Sequence, residues 1–335
     1  MTAPLDVDTS EATEAPGSVR VGPTTKAIEG RSLGQIAWMR LKRDKVALGG
    51  AVVIVLLIGT AVFAPLLVKL FGHPPTDFHQ DLVDPTFQVP KGAFGGIDRH
   101  YLLGIEPGNG RDVFSRIIYG ARISLLVAFL ATAVSVGIGT VLGVTAGFFG
   151  GWVDSLISRT MDILLAFPIL LFAISLGAVL QSGNGLFGLS GTSLSVGVLV
   201  FIIGFFNWPY IGRIVRGQTL SLREKEFVDA ARSLGATNSH IIFKQLLPNL
   251  LAPVLVYSTL IIPTNILFEA ALSFLGVGVK PPTASWGSML ADAVPTYSID
   301  PTFMIVPGAA LFITVLSFNL LGDGLRDALD PKAGR

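Results

Sequence analysis

Histidine is the side chain most often used for acid–base chemistry near neutral pH, and this chain of 335 residues contains four. His73, His79 and His100 lie in one polar stretch and His240 lies in another, without the spacing of a metal site or a Ser-His-Asp arrangement. The chain has no cysteine, which excludes thiolate nucleophiles, thiolate metal ligands and disulfides. We therefore expect solvated loop histidines, no bound metal and no catalytic residue.

Phosphate-binding features are also missing from the sequence. No Gly-x-x-x-x-Gly-Lys-[Ser/Thr] loop occurs, so the chain cannot bind a nucleotide by that route. The formal net charge of +1 comes without a clustered basic surface, which argues against a nucleic-acid partner. We expect that the chain binds no cofactor directly and is not an enzyme.

Two acidic residues lie within long apolar runs, where ionisable side chains are costly and often functional. Asp162 begins one run close to Arg159, so we interpret it as a residue of the inner membrane interface. Glu269 lies deeper in another run and must face a partner helix, a polar group or a transport pathway. Asn265, in the same run, could form an interhelical hydrogen bond or line the pathway.

These residues belong to apolar segments of the length that spans a membrane. Hydrophobic residues make up 51% of the chain and charged residues only 14%, a composition that is rare in soluble domains. Because a bilayer core of about 30 Å requires roughly 20 mostly apolar residues per helix, we predict an all-α polytopic membrane protein. The six predicted transmembrane helices are residues 46–67, 123–149, 161–180, 194–208, 253–275 and 303–321.

The distribution of basic residues gives these spans a direction. Arginine and lysine are concentrated before the first span, in the loop 213–249 and after residue 326, and such segments stay in the cytoplasm. We therefore expect cytoplasmic N- and C-termini. Four arginines in and beside the predicted external loop run against this rule: Arg99, Arg111, Arg116 and Arg122.

Around residues 111–122, apolar side chains and arginines form a pattern that predicts an amphipathic helix on the outer membrane surface. This helix could anchor the chain or brace the mouth of a pore.

The predicted organisation of the whole chain has five parts. They are a disordered cytoplasmic tail (1–30), a segment with the first span (31–72), an external loop with the amphipathic helix (73–119), a core with five spans and the cytoplasmic loop 213–249 (120–325), and a cytoplasmic tail (326–335).

Glycine and proline mark two expected packing features. Gly139, Gly143 and Gly147 place side-chain-free positions on one helical face, where another helix can approach closely, unless they only reflect the frequency of glycine in such helices. Pro168 and Pro263 remove helix hydrogen bonds in the third and fifth spans and are expected to kink them.

The loop between the fourth and fifth spans contains a predicted short helix at residues 222–234. Ser221 and Glu224 fit a capping box at its start, and Gly235 suits a left-handed residue at its end. A second amphipathic stretch follows at 239–247. The predicted helix at 222–234 has one face formed by Phe227, Ala230, Ala231 and Leu234. This face could lie on lipid headgroups or dock to a protein, and the residues alone leave both alternatives open.

Within this loop, Asp229-Ala230-Ala231, Gly235 and Leu247-Pro248 resemble the cytoplasmic EAA motif of ATP-binding-cassette (ABC) importer permeases. The resemblance implies a coupling helix seated in a groove of a separate ATP-hydrolysing subunit. Two residues depart from the motif, because Asp229 stands where Glu is usual and Gln245 where Ile is usual. The coupling residues that the resemblance implies are Glu226, Phe227, Asp229, Ala230, Ala231, Leu234, Gly235, Leu247 and Pro248.

Further segments resemble the dipeptide and oligopeptide branch of these permeases, specifically its C-type subunit. The resemblance covers residues 32–331 and implies the six-span type I importer fold. Residues 105–109 depart from the Thr-Asp-containing stretch that is usual in the branch. The matching segments are residues 110–124, 161–168, 272–289 and 319–331.

The resemblance also implies partners in a bacterial cytoplasmic membrane. The chain would form the translocation pathway with a second, B-type permease, surrounded by lipid. ATP and Mg would be bound by two ATPase subunits or one fused ATPase, and an extracytoplasmic substrate-binding protein would deliver a di- or oligopeptide. Relatives of this class carry nickel chelates, glutathione or sugars. A secondary transporter is the alternative from another class, although coupling-ion ligands and an inverted repeat are not evident.

Overall fold

The computed structural model describes residues 33–182 and 190–329. Within these ranges the chain is helical, and pairing of extended segments is limited to two isolated bridges, Val83 with Pro90 and Ile105 with Asp112. The all-α prediction is therefore confirmed. The predicted tail 1–30 and residues 330–335 of the predicted C-terminal tail lie outside the described residues.

Long helices carry most of the described chain, with a 3₁₀ turn (Gln80–Leu82) between α3 and α4 and a π-helical turn (Ile241–Leu246) between α9 and α10. The helices are α1 (Leu33–Leu41), α2 (Lys45–Val62), α3 (Ala64–Phe71), α4 (Val113–Phe149), α5 (Gly151–Ala166), α6 (Ile169–Ser182), α7 (Gly191–Arg223), α8 (Glu226–Ser233), α9 (Asn238–His240), α10 (Leu247–Phe274), α11 (Trp286–Ala293) and α12 (Thr302–Leu329).

Five helical stretches of the described chain are long and apolar enough to cross a membrane: α2, α4, α7, the stretch from α9 through α10, and α12. Helices α5 and α6 pass the same test only together, as a pair bent by 79°. The six predicted spans therefore correspond to five continuous stretches and one broken span. Both α4 and α7 are longer than predicted, since α4 begins at Val113 and α7 continues to Arg223.

The break between α5 and α6 lies at Pro168. Phe167 has extended backbone angles, φ −74° and ψ 133°, because the helical region is disfavoured for a residue that precedes proline. Pro263, in contrast, lies inside α10 without interrupting it. Of the two expected kinks, the one at Pro168 is a full break.

Helices α4 and α7 run parallel, and the three glycines predicted to pack lie at their contact. A Cβ atom added at any of these glycines would come closer than 3.0 Å to an atom of α7, a distance that real Cβ atoms essentially never show. The contacts advance in the same direction along both helices. They join Gly139 to Trp208, Gly143 to Gly212 and Gly147 to Thr219.

Because α4 and α7 are parallel, the intervening α5 and α6 must return the chain across the bundle. Asp154 in α5 pairs with Arg216 near the end of α7. Gly177 in α6 packs against Val277, which follows the end of α10. The broken helix pair therefore connects the two ends of the bundle, as a spanning segment does.

The predicted amphipathic helix on the outer membrane surface is wrong. Residues from Val113 onward form the first turns of α4, whose start is capped by Asp112 through a hydrogen bond from the Phe114 N–H (3.0 Å). Arg111 and Arg116 are buried because they pair with acidic residues inside the protein. An apolar helix face with arginines beside it here marks a buried helix start.

Candidate coupling site

Helix α8 is a short helix with well-defined ends. Glu226 and Asp229 lie in its first turn and Arg232 in its last, which complements the helix dipole. The Ala236 N–H bonds to the Ala231 carbonyl (3.0 Å), and Gly235 has a φ of +80°. These are the features of a glycine-terminated helix end, so the predicted end at Gly235 is confirmed.

The predicted start of this helix is wrong. Ser221 lies inside α7, and α8 begins only at Glu226, where extended Lys225 precedes the helix without a side-chain cap. The reason lies in α7, whose last residue, Arg223, donates hydrogen bonds to the carbonyls of Gly147 and Phe148 (3.2 Å each). These bonds extend α7 past the predicted boundary and tie it to the end of α4.

Val228 attaches α8 to the membrane domain. Its side chain is 0% exposed and packs in an apolar cluster with Ile241, Leu246 and Leu250, together with residues from the ends of α4 and α7. Sequence reasoning missed this residue. The available signal was its position three residues before Ala231, which places the two apolar side chains next to each other on the helix.

The face of α8 that carries Phe227, Ala230 and Leu234 is open. Leu234 is 88% exposed and Phe227 is 37% exposed, although both are apolar. With the small residues between them they line a concavity of about 620 Å³. Its lining residues are Phe227, Ala230, Ala231, Leu234, Gly235, Ala236, Thr237, His240 and Gln245.

The structure therefore places the nine implied coupling residues in three groups. Five of them line the concavity. Glu226 and Asp229 are exposed on the adjoining sides of α8, where Asp229 lies 3.6 Å from Arg232. Leu247, the first residue of α10, is half-buried against the apolar cluster around Val228, and Pro248, the second, is exposed. Neither of these two residues lines the concavity.

Asp162 also lies near this end of the bundle. Its carboxylate accepts a hydrogen bond from Arg213 in α7 (2.5 Å), and both side chains are about half exposed. The sequence suggested Arg159 as the neighbour, whereas the partner is 51 residues further along the chain. Asp162 lies inside α5 and Arg213 inside α7, so the ion pair joins these two helices. The position of Asp162 at the inner membrane interface stays a prediction.

Asn265 and Glu269 lie inside the bundle. Asn265 accepts a hydrogen bond from Asn207 of α7 (2.7 Å) and donates one to Thr132 of α4 (2.8 Å). The Glu269 carboxyl accepts a bond from Ser273 (2.6 Å). Both residues are 0% exposed. The Asn265 bonds join α10 to α7 and α4, whereas the bond between Glu269 and Ser273 lies within α10. Their role in a pathway stays a prediction.

A second, apolar concavity of about 410 Å³ lies between α5, α6, α7 and α10, beside the break at Pro168. Asn207, Tyr210 and Thr264 add polar groups to a wall of aromatic and aliphatic side chains. Sequence reasoning did not assign these residues. The break at Pro168, which opens the surface between α5 and α6, was the signal that could have indicated it.

Two family models match this chain. "Binding-protein-dependent transport system inner membrane component" matches residues 139–335. "N-terminal TM domain of oligopeptide transport permease C" matches residues 32–90. The first match includes both concavities and the second includes the first span.

Curated relatives are similar over almost their whole length. The dipeptide transport system permease protein DppC of Alkalihalophilus pseudofirmus is 42% identical over 88% of this chain and 89% of its own. The oligopeptide transport system permease protein OppC of Haemophilus influenzae is 40% identical, and the match covers 91% of this chain and 90% of OppC. The glutathione transport system permease protein GsiD of Escherichia coli is 38% identical, and the match covers 92% of this chain and 94% of GsiD.

The solved structures include a similar fold. A chain of the MetNI methionine ABC transporter, in an inward-facing conformation, has a TM-score of 0.50 and 21% identity. The match covers 65% of this chain and 97% of that chain. It supports the assignment of the helical architecture.

Proposed function

Because this chain belongs to the family of binding-protein-dependent transport system inner membrane components, we propose that it is the permease subunit of an ABC importer for di- or oligopeptides. In this proposal the chain forms the pathway together with a second, B-type permease. Two ATPase subunits, or one fused ATPase, bind ATP and Mg. An extracytoplasmic binding protein delivers the substrate.

The open face of α8 is the observation that carries this proposal. An exposed leucine and phenylalanine around two alanines are costly to leave in water, and the small residues allow another surface to approach closely. The concavity that they line is continuous with the cluster around Val228. A protein seated there would therefore contact, through α8, the ends of α4, α7 and α10.

The arrangement of the chain ends supports a cytoplasmic position for this face. Gly72, beyond α3, packs on Asp112 at the start of α4, so α2 begins at the opposite end of the bundle, where α4 ends and α8 lies. There Ala47 of α2 packs on Gly324 of α12. Both ends of the described chain and α8 thus share one side, which we assign to the cytoplasm of a bacterial inner membrane.

The concavity beside Pro168 is our candidate for one wall of the pathway. It combines aromatic side chains with a few polar groups, the composition typical of small-molecule sites. Tyr210, which lines it, is 57% exposed. The second permease would cover this surface, so that the substrate passes between the two subunits.

Purification and transport with one charged substitution test the proposal. A tagged chain is expressed in its native host, purified in mild detergent, and assayed for co-purifying ATPase and for peptide uptake in cells. Ala231→Arg should remove the ATPase and lower uptake by about tenfold or more, because a bulky cation obstructs the concavity. Ser233→Arg is the matched control, since it adds the same side chain to an exposed position on another side of α8.

The outcomes separate the alternatives. Equal ATPase recovery with both variants would contradict docking at this face. A chain that imports without ATPase, and stops when the ion gradient is collapsed, would be a secondary transporter. Competition by unlabelled dipeptide, tripeptide and glutathione then identifies the substrate, and glutathione is the relevant competitor because of its 38% identical permease relative.

A further inference from the structure

A basic turn joins α1 to α2 at the α8 end of the bundle. It carries three cationic residues, Lys42, Arg43 and Lys45, and all three are exposed. The backbone N–H groups of Lys42 and Arg43 donate hydrogen bonds to carbonyl groups of α1 (3.0 Å each), and the N–H of Asp44 donates another (3.1 Å). The backbone of the basic turn is therefore fixed by hydrogen bonds. The proposed coupling through α8 does not use these residues.

Helix α1, which precedes the basic turn, directs a tryptophan away from the bundle. The helix contacts α12, and its Ala37 is buried whereas Trp38 is 58% exposed. The Lys42 Nζ atom lies 5.2 Å from the centre of the Trp38 ring, in a cation–π contact. Indole rings prefer the headgroup region of a bilayer. A tryptophan beside lysine and arginine is therefore typical of a helix that lies in a membrane surface.

The basic turn lies where the first span enters the membrane. Lys45 is the first residue of α2, and α2 is long and apolar enough to cross a bilayer. Exposed apolar side chains begin at the next residue, Val46, and continue with Leu48 and Val52. In a spanning helix such residues face the hydrocarbon core. The long side chains of the basic turn can therefore reach the phospholipid headgroups.

The charges of the basic turn favour an anionic partner. Within the described residues, none of its three cationic side chains forms an ion pair or a hydrogen bond. The acidic residue between them, Asp44, accepts hydrogen bonds from two backbone N–H groups and caps α2. Asp323 and Asp327 of α12 are exposed and form no ion pair with the three cations. The basic turn alone thus carries three positive charges and one negative charge, and a juxtamembrane cluster of this sign attracts anionic lipid.

We infer that the basic turn, together with Trp38, binds the anionic headgroups of phospholipids in the leaflet at the α8 end of the bundle. Lysine and arginine both donate hydrogen bonds to phosphate oxygens, and the acyl chains would lie along the exposed apolar side chains of α2. Bound lipid would hold α1 and the start of α2, where Ala47 packs on Gly324 of α12. Binding of this kind requires only that α2 spans a membrane, and it does not depend on what the chain imports.

The direct test is a lipid titration of the purified protein, with any subunits that co-purify, followed by thermal unfolding in mixed micelles. Phosphatidylglycerol should raise the unfolding midpoint in a saturable way, because a ligand that binds the folded state stabilises it. Phosphatidylcholine, which has no net charge, should not reproduce the rise. Glycerol 3-phosphate tests for a free phosphate ester as the ligand. An equal rise with phosphatidylcholine or with glycerol 3-phosphate, or none with phosphatidylglycerol, would overturn the inference.

Matched double variants locate the effect. Arg43→Gln with Lys45→Gln should raise the half-saturating fraction of phosphatidylglycerol by about 30-fold, since each cation near an anionic surface contributes about fivefold in affinity. Arg99→Gln with Lys69→Gln is the control, because it also removes one exposed arginine and one exposed lysine, both outside the basic turn. The control should respond like the wild type. The same half-saturating fraction in both double variants would contradict the inference.

Two further measurements separate the role of charge from a role in the fold. Without added lipid, Arg43→Gln with Lys45→Gln should unfold at the same midpoint as the control, because neither side chain has a partner within the described residues. A lower midpoint would show that the cations support the fold, against the inference. Exchanging the two residues, Arg43→Lys with Lys45→Arg, keeps the charge and should keep the lipid response. Loss of co-purifying ATPase from the glutamine variant, with a normal lipid response, would assign the basic turn to a protein contact instead.

Discussion

Ion pairs at the two ends of the bundle are arranged in opposite ways. At the α8 end, the side chains of Arg213 and Asp162 are each 52% exposed, and those of Arg216 and Asp154 are 33% and 20% exposed. At the opposite, α11 end, where α11 lies beside the start of α4, Arg116 and Glu106 are almost completely buried. Exposed pairs contribute little to stability and can rearrange in water, whereas buried charges hold a fixed geometry and are costly when a partner is lost. The α8 end is therefore suited to a partner that moves, whereas the buried pairs hold the α11 end in one geometry.

The two ends also differ in how much apolar surface they expose. The α8 end exposes Phe227 and Leu234 around small residues, and the α11 end keeps its large aromatic residue, Trp286, 1% exposed. The α8 end thus presents apolar side chains for contact, whereas this tryptophan is enclosed. The long contact between α4 and α7 connects the two ends. Substitutions in this contact, at the α8 end and in the centre of the bundle should therefore have different effects.

The largest effect is expected at the contact between the two ends. Gly143→Leu would place side-chain atoms against the Gly212 carbonyl, since even a Cβ atom would lie 2.7 Å from it. We expect a loss of about 3 kcal/mol or more of stability, from overpacking, and no measurable uptake. Gly137→Leu is the matched control, because nothing lies within 4 Å of a Cβ added at Gly137. The yield of each variant and its half-life in detergent measure the difference in stability. Similar values for the two variants would show that α4 and α7 are not tightly packed at Gly143.

A smaller effect, confined to the α8 end, is expected from Val228→Ala. Removing two buried methyl groups should cost about 2 kcal/mol and loosen α8 from the spans. The complex should still assemble, but substrate-stimulated ATPase activity should fall severalfold. Val141→Ala is the control, since Val141 is 65% exposed on α4. ATPase activity as high in Val228→Ala as in Val141→Ala would contradict the role of Val228 in attaching α8 to the spans.

The sequence predicts a region well when the residues that determine its structure are close together along the chain, and poorly when they are far apart. Apolar length predicts the spans, and Gly235 predicts the end of α8, because both depend on neighbouring residues. The start of α8 depends on Arg223 reaching the end of α4, about 75 residues away. The amphipathic pattern near Arg116 does not distinguish a lipid-facing helix from a buried one, since the deciding partner, Asp292, lies 176 residues along the chain.

Asn265 tests the centre of the bundle, between the two ends. Asn265→Leu leaves the amide of Asn207 unpaired and should cost about 1 kcal/mol, seen as a shorter half-life in detergent. The double variant Asn207→Leu with Asn265→Leu should recover part of this loss, because both polar partners are removed together. Uptake per folded molecule should stay unchanged if the pair only packs helices. A large fall in uptake with normal stability would instead support the pathway prediction.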